Sequence, residues 1–437
     1  MEITLLHIKG FKNLKDVSLS LDDFTALISY NNYGKSNVLE AIHFAFDFIG
    51  SNSEQKARML STAALIPLNA ENSASPFSFE FGFRTILSNK MVVEGEYGFS
   101  CSWRTMDSLG AIKTEYLRSK DADVSQKLSL LISREDKESF YRSSQTGRCD
   151  KPIKVNPNEL VLNKLLAFDD LYYHELLSSL FQIKIYLDRH FDVVRPFEFS
   201  PFISDPGDML SMSAPFGYAG WLYGIHERYR DDFDLIVHTI KDIFPMVETL
   251  KVDKIPIISG TKKNDASRDG ENAHKTARFY DLADFVYVAS VTMSNLVKPV
   301  NISQMSDGFK RILLILTGLK VAKYNHYSLL CVEEPENSIN PSLLRRFLTY
   351  LHNFAEPTQI IVTSHSPFLV NYLPLQDVYL GLPDPNGFAS FRKIRSQSIG
   401  RIEDNAKAMD MPTGEYLFDV LSGDEEGLSA LEKYLEK

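Results

Sequence analysis

A strand–loop–helix stretch close to the N terminus constrains the fold more than any other part of the chain. Residues 24–28 form an apolar run, which predicts a buried strand, and residues 38–46 carry apolar side chains at helical spacing. Between them lies the loop Ser29-Tyr-Asn-Asn-Tyr-Gly-Lys-Ser-Asn37. A strand, a tight loop, a Lys-Ser pair and a helix, in that order, are typical of a phosphate-binding loop.

Several positions of this loop have a chemical role in such a site. Backbone N–H groups of the loop and of the first helical turn point at a triphosphate, and the helix dipole adds positive potential there. Gly34 lets the backbone pass close to the phosphates. Lys35 is predicted to reach the β- and γ-phosphates, and the Ser36 hydroxyl to ligate Mg²⁺. ATP and Mg²⁺ are therefore the predicted cofactors, with further nucleotide contacts expected from Asn31, Asn32 and Asn37.

The loop departs from the usual pattern at its first position. The pattern G-x-x-x-x-G-K-[ST] begins with glycine, whereas this chain has Ser29. The alternative interpretation is an ordinary strand-to-helix turn with a surface lysine, since Asn31 and Asn32 both tolerate left-handed backbone. Motifs elsewhere in the chain are needed to distinguish a phosphate-binding loop from an ordinary turn.

A second group of candidate residues begins at the apolar helix predicted over residues 312–321. Ser306 and Gly308 stand just before this helix, where they can cap it or offer N–H groups to a phosphate. The simpler interpretation is an N-cap, with Asp307 complementing the helix dipole.

Two further apolar strands end in polar residues. The strand predicted over residues 328–334 ends in two carboxylates, which are costly to bury unless they meet a cation or water. Glu333 is therefore predicted to hold Mg²⁺, and Glu334 to polarise the attacking water. The strand over residues 359–365 ends in His365, which is predicted to contact the γ-phosphate; the alternative is a histidine that only satisfies a strand end.

Composition limits the remaining possibilities. The chain of 437 residues can form two or three domains, and its net charge of −10 argues against coating nucleic acid by bulk charge. No apolar run approaches the ~20 residues needed to span a bilayer. The sequence opens directly in a strand-like segment and its three cysteines are far apart, so we expect no signal peptide, no disulfide framework and a cytoplasmic location.

The chain divides into three predicted regions. Residues 1–104 contain strands over 3–8, 17–21, 77–84, 91–97 and 98–103, with alternate phenylalanines at 77–83 forming one core face. Residues 105–280 have a helical and charged texture and are predicted to be a mostly helical insertion for oligomer and partner contacts, with a polar loop over 259–276. Residues 281–437 carry the second group of motifs.

Together these motifs resemble the ABC/SMC-like ATPases, nearest the RecF-like and OLD-like branch labelled AAA15 or AAA21. The matching segments are an opening strand and turn (8–14), a Walker A loop and helix (33–42), a signature motif (306–311), a Walker B strand (329–334), a D-loop (335–341) and a switch-histidine loop (363–369). The middle of the chain is not covered, and no Q-loop glutamine is assigned.

This resemblance implies an α/β fold, namely an ABC-type P-loop ATPase head with a mixed sheet flanked by helices and an antiparallel β edge. It also implies an ATP-sandwich homodimer, or a larger homo-oligomer. Lys35, Glu334 and His365 of one chain would then act in catalysis opposite the partner subunit's Ser306 and Gly308. ATP binding would close the dimer and hydrolysis would open it.

Relatives of this branch often carry a C-terminal Toprim nuclease, for which too few residues follow the motifs here. The first hypothesis is therefore an ATPase sensor and scaffold of a bacterial anti-phage system, resembling the ATPase subunits of the PARIS and Septu systems. Such a subunit would control a separately encoded effector, a toxin or a nuclease, with DNA or a phage protein as the candidate trigger and no membrane partner.

The alternative is a RecF-like DNA-repair ATPase that clamps DNA in its ATP state. A C-terminal basic cluster suggests it, although a solvated charged face is the simpler interpretation of these residues: Arg392, Lys393, Arg395 and Arg401. A third hypothesis, a scaffold that binds ATP but barely hydrolyses it, is allowed by Ser29 and opposed by the intact Glu333 and Glu334.

Overall fold

The computed structural model describes residues 1–67, 75–106, 109–188, 217–256, 285–354, 356, 358–382, 384, 386–422 and 425–436. The strands of the described chain are β1 (Glu2–Phe11), β2 (Leu14–Ser20), β3 (Phe24–Ile28), β4 (Phe77–Ile86), β5 (Val92–Ser102), β6 (Ala111–Asp121), β7 (Ser129–Glu135), β8 (Glu138–Arg142), β9 (Cys149–Pro152), β10 (Ile185–Asp188), β11 (Val247–Pro256), β12 (Phe285–Met293), β13 (Val300–Asn301), β14 (Leu329–Glu333), β15 (Gln359–Ser364), β16 (Val378–Leu382) and β17 (Ser390–Lys393). The α-helices are α1 (Lys35–Gly50), α2 (Ser53–Met59), α3 (Val161–Leu165), α4 (His174–Phe181), α5 (Gly217–Arg228), α6 (Arg230–Ile243), α7 (Asp307–Tyr324), α8 (Pro341–Phe354), α9 (Pro367–Val370), α10 (Ile399–Ala408), α11 (Thr413–Ser422) and α12 (Glu425–Glu432). Short 3₁₀ helices occupy Ala63–Leu65, Ile302–Gln304, Leu375–Asp377 and Ser396–Ser398.

The chain divides into two compact units. The first contains Met1–Arg189, His326–Glu336 and Ala355–Lys437, and the second contains His190–Asn325 and Asn337–Phe354. Among the described residues, no helix has the length and apolar character needed to cross a membrane.

An antiparallel sheet forms one layer of the first unit, with the strand order β2-β1-β4-β5-β6-β7-β8-β9. The alternate phenylalanines of β4 are all buried, as the sequence predicts. Helix α1 packs on this aromatic face; for example, the ring centroids of Phe46 and Phe81 lie 5.0 Å apart, and those of Phe48 and Phe99 5.2 Å apart. Aromatic contacts of this kind stabilise a core beyond the area they bury.

The second sheet of this unit has the order β10-β14-β15-β3-β16-β17 and is parallel except for β17. Strands β3 and β15 are buried along their whole length, as expected for parallel strands covered on both faces. The Gln359 side chain joins the two sheets: its Oε1 accepts from the Ile3 N–H at 2.7 Å, and its Nε2 donates to the Ile3 carbonyl at 2.9 Å.

The second unit combines a three-stranded antiparallel sheet, β11-β12-β13, with helices α5 to α8. Helix α7 lies at its centre, since most of its side chains are buried. The buried Tyr218 hydroxyl donates to the Leu313 carbonyl at 2.6 Å, which ties α5 to α7. Arg346 on α8 donates to the Asp242 carbonyl at 2.9 Å.

The prediction of a mostly helical insertion over residues 105–280 is wrong for the first part of that range. Strands β6 to β9 continue the antiparallel sheet there, and β5 and β6 pair across the predicted boundary at residue 104. The exposed face of these strands is charged, which hides their alternation, and cross-strand pairing outweighs local propensity. The helices predicted around residues 160–166, 176–181 and 221–243 are confirmed, while the 259–276 loop lies outside the described residues.

A smaller correction concerns residues 91–103. The sequence predicts two strands here, whereas the structure has the single strand β5, which continues through Gly98. Gly98 faces the Tyr116 ring on the paired strand: a Cβ at this position would lie 2.7 Å from Tyr116 Cε1. Glycine here provides space for a close approach and does not end the strand.

Candidate nucleotide-binding site

Three neighbouring parallel strands bring the predicted motifs to one edge of the sheet. Glu333 pairs with Thr363, and Ser364 pairs with Ile28, so β14, β15 and β3 end side by side. Ligands of open α/β sheets bind at the carboxyl ends of the strands. The sheet therefore gathers the phosphate-binding loop, the paired glutamates and the histidine loop within the first unit.

The loop after β3 has the backbone that its sequence predicts. Gly34 has a φ of 88°, in the left-handed region, and α1 begins at the next residue. A Cβ on Gly34 would lie 2.7 Å from Ala389 Cβ and 2.9 Å from Asn13 Oδ1, so both the conformation and the space require glycine. Asn32 also has a positive φ, of 67°.

Lys35 turns back onto its own loop. Its Nζ donates to the carbonyl oxygens of Tyr30 at 2.7 Å and Ser29 at 2.8 Å. Burial lowers the pKa of the Lys35 ammonium to about 8, although Glu334 and Glu336 act in the opposite direction. An ammonium group that donates to neutral carbonyl and hydroxyl oxygens is stabilised strongly by an anion such as a phosphate.

Glu334 and His365 form the hydrogen-bonded pair of the site. Glu334 Oε1 lies 2.9 Å from His365 Nδ1, and both side chains retain some solvent exposure. The φ of Glu334 is 45°, an unfavourable value for a residue with a side chain, and its N–H donates to the Thr363 carbonyl at 2.9 Å. Strained backbone of this kind is typical of functional positions.

Glu336 is a site residue that the sequence analysis missed. Its Oε1 accepts from the Ser364 hydroxyl, and Ser364 Oγ accepts from the Ser366 N–H at 2.9 Å. The two neighbours of His365 are thereby fixed in one hydrogen-bonded chain. Burial raises the pKa of Glu336, and its Oε2 is buried with no hydrogen-bond partner among the described residues. The sequence did contain a signal for Glu336, because it is a third carboxylate that lies two positions after Glu334.

Two other supports of the loop come from distant parts of the sequence. Asn37 Nδ2 donates to Asn13 Oδ1 at 2.7 Å. The Tyr30 hydroxyl donates to the Phe418 carbonyl on α11 at 2.7 Å, and the two rings meet edge to face at 5.4 Å. No local pattern could have indicated these contacts, because each joins separate segments of the first unit.

The signature residues belong to the second unit, whereas the other predicted site residues belong to the first. Ser306 caps α7: its Oγ accepts from the Phe309 N–H at 3.3 Å, which confirms the capping interpretation. A Cβ on Gly308 would lie 2.4 Å from the Ser338 carbonyl oxygen, so the D-loop segment packs directly against the start of α7. Contact of Ser306 and Gly308 with a nucleotide stays a prediction.

The remaining predicted ligands are accessible. Asn31, Asn32 and Ser36 are exposed, and Asn37 and Glu333 are half-buried. A hydroxyl and a carboxylate are oxygen donors suited to Mg²⁺, which usually takes one or two protein ligands and completes its shell with phosphates and water. Within the described residues there is no cluster of three or more His, Cys, Asp or Glu side chains that would hold a metal without such help.

The fold is that of an ABC/SMC-type head. The SMC head bound to the C-winged helix domain of ScpA superposes with a TM-score of 0.50 at 14% identity, over 92% of this chain and 100% of that chain. The Thermotoga maritima SMC head domain gives a TM-score of 0.42 at 13% identity, over 90% of this chain and 100% of that one. The Pyrococcus furiosus Smc head domain with an extended coiled coil, bound to the C-terminal domain of ScpA, gives 0.47 at 13% identity, over 93% and 99%.

Family comparisons place both halves of the site among ATPase domains. Residues 1–160 match the AAA_15 family, described as "AAA ATPase domain". Residues 257–371 match the AAA_21 family, described as "AAA domain, putative AbiEii toxin, Type IV TA system". Each match covers less than half of the chain, and together they contain every site residue that the sequence predicts. No curated protein matches the sequence.

Proposed function

We propose that the protein binds and hydrolyses ATP in the presence of Mg²⁺. The observation that carries this proposal is the meeting of three motifs at one sheet edge: a glycine-dependent loop with a buried lysine, two carboxylates, and a histidine hydrogen-bonded to the second carboxylate. Matches to two ATPase-domain families support it.

Each residue has a defined task in this reaction. Lys35 exchanges its carbonyl partners for phosphate oxygens and neutralises their charge. Glu334 accepts a proton from the attacking water, and its hydrogen bond with His365 fixes the direction of the carboxylate. Ser36 and Glu333 would hold Mg²⁺, which neutralises charge on the phosphates when bound.

A second copy of the chain supplies the rest of the site. ABC/SMC-type heads place the signature motif of one subunit against the nucleotide of the other, which gives Ser306 and Gly308 their role in an ATP-sandwich homodimer. The N–H groups at the start of α7 suit a phosphate because a helix N-terminus carries partial positive charge.

The cellular role that fits best is an ATPase sensor and scaffold in anti-phage defence. The description of the AAA_21 family, "AAA domain, putative AbiEii toxin, Type IV TA system", supports this role. In this role the nucleotide state controls whether a separately encoded effector, a toxin or a nuclease, is held or released.

The competing role is a RecF-like clamp on DNA. Two of the four residues in the basic cluster that suggested it are paired with carboxylates: Lys393 lies 2.7 Å from Asp22, and Arg392 lies 3.5 Å from Glu432. Arg395 donates to the Leu435 carbonyl. Phosphate contacts need cations that are available to the ligand, so the pairing of Arg392 and Lys393 weakens the support for a DNA clamp.

The experiment that separates the two roles measures particle size by light scattering, with and without ATP. Wild-type protein and Glu334→Gln are each coexpressed with the neighbouring gene products of the operon. A large assembly that retains or ejects a neighbour according to nucleotide supports the sensor role. A dimer that forms only with ATP, ignores its neighbours and gains salt-sensitive affinity for DNA supports the clamp.

A further inference from the structure

The first position of the phosphate-binding loop is the place where this chain departs from the common pattern. Ser29 is fully buried, and its N–H donates to the Ser364 carbonyl at 3.2 Å. A side chain therefore occupies space that glycine leaves open in the common loop, and the surrounding residues have to accommodate it.

The accommodating residue is Gly381 on β16. Strand β16 pairs with β3, with Leu380 opposite Ile28, so Gly381 comes next to Ser29 just beyond the paired residues. A Cβ on Gly381 would lie 2.5 Å from Ser29 Cβ and 3.0 Å from Ser29 Oγ. No side-chain atom fits at 2.5 Å from another carbon, so Gly381 is required for space.

The Ser29 hydroxyl that this space admits takes part in the loop. Its Oγ donates to the Tyr30 carbonyl at 3.1 Å and lies 3.3 Å from Lys35 Nζ, which donates to it. Ser29 thus contributes both its carbonyl and its hydroxyl to the group of oxygens around the Lys35 ammonium.

We propose that Gly381 is a positioning residue of the nucleotide site and forms a unit with Ser29. The glycine absent from the loop is present on the neighbouring strand, and the pair sets the position of the Lys35 ammonium. This inference rests on the proposed function for its link to ATP. The steric pairing of Ser29 with Gly381 is independent of any ligand.

The test is a double-mutant cycle with Gly381→Ala, Ser29→Gly and the double variant, measured by ATP titration and thermal unfolding. Gly381→Ala forces the loop away and is expected to weaken ATP binding about tenfold or more and to lower Tm by about 5 °C. Ser29→Gly in the same chain removes both clashing atoms, so the double variant should bind ATP within about threefold of Ser29→Gly alone. A Cβ at Gly381 would still lie 3.0 Å from Phe391 Cε1, and we therefore expect rescue of Tm to be incomplete.

Gly82→Ala is the matched control. A Cβ there would lie 2.7 Å from Thr4 Oγ1, a similar clash in the antiparallel sheet of the same unit. This variant should lose stability, keep its affinity for ATP and gain nothing from Ser29→Gly.

Several results would overturn the pairing. One is a Gly381→Ala variant that keeps the wild-type Tm and affinity for ATP. Another is that Gly381→Ala lowers Tm and affinity for ATP equally in the wild-type chain and in the Ser29→Gly variant. If Gly381→Ala does not fold, a folded double variant supports the pairing and an unfolded one refutes it. If wild type binds no ATP, the proposed function fails, and the cycle in Tm still tests the pairing by itself.

Discussion

The protonation state of Lys35 gives the sharpest test of the loop. Its Nζ is held by carbonyl oxygens in a buried position, and burial lowers its pKa from 10.5 to about 8. Bound phosphate favours the ammonium form of Lys35. ATP binding is therefore accompanied by the uptake of a proton at pH values where Lys35 of the ATP-free protein is neutral. With these values, affinity for ATP should fall about tenfold between pH 7 and pH 9. A lysine at its ordinary pKa would give almost no change over this range.

The assay is an ATP titration by calorimetry at half-unit steps of pH, in two buffers of different ionisation enthalpy. The difference between the buffers reports the proton uptake directly. Lys35→Met should bind weakly and without this pH dependence. Affinity that stays flat from pH 7 to pH 9 in wild type would refute the reasoning, because it would mean that burial does not shift the charge of Lys35.

Lys56 provides the control for this experiment. It is a second buried lysine of the same unit, its pKa is also lowered to about 8 by burial, and its Nζ donates to Asn163 Oδ1 at 2.9 Å. Each of the two lysines binds fewer protons in the folded protein than in the unfolded chain, so the free energy of unfolding rises with pH between about 8 and 10.5. The pH dependence of stability therefore does not distinguish Lys35 from Lys56. The pH profile of ATP binding does, because Lys56→Gln should leave it unchanged.

Substitutions at three further positions test the supports of the site. Gly34→Ala places a methyl group in occupied space on a residue with left-handed backbone. We therefore expect the free energy of unfolding in urea to fall by about 2–4 kcal/mol and ATP binding to be lost. Wild-type stability would contradict this expectation. Glu336→Ala leaves the Ser364 hydroxyl without its acceptor, so it should lower the free energy of unfolding by about 1–3 kcal/mol and slow hydrolysis. Glu336→Gln keeps an acceptor, and its free energy of unfolding should stay within about 1 kcal/mol of wild type. Equal effects of the two substitutions would show that the acceptor is unimportant. Tyr30→Phe removes the hydrogen bond to the Phe418 carbonyl and should cost about 1 kcal/mol in thermal unfolding, and an unchanged Tm would show that α11 does not support the loop.

The parts of the site that the sequence predicts are those whose chemistry is local. A lysine after a glycine at a strand end, or two carboxylates closing an apolar strand, is unusual enough within a few residues to indicate a role. The parallel order of β14, β15 and β3 then brings Glu334 and His365 within hydrogen-bonding distance.

The parts that the sequence does not predict depend on contacts between distant segments. Strands β6 to β9 exist because each pairs with a neighbour, and their charged outer face resembles that of a helix when taken alone. The departure at Ser29 is visible in the sequence, but its compensation by Gly381 becomes visible only when β16 lies beside β3.

The most direct test of ATP hydrolysis at this site is a pair of measurements on wild type and Glu334→Gln: the dissociation constant for ATP with Mg²⁺, and the rate of phosphate release. We predict that the two proteins bind ATP with affinities within a few-fold of each other and that Glu334→Gln releases phosphate at least about 100-fold more slowly, since general-base catalysis is worth roughly 10²–10⁴. Phosphate release by Glu334→Gln at the wild-type rate, or no binding of ATP by wild type, would contradict the assignment.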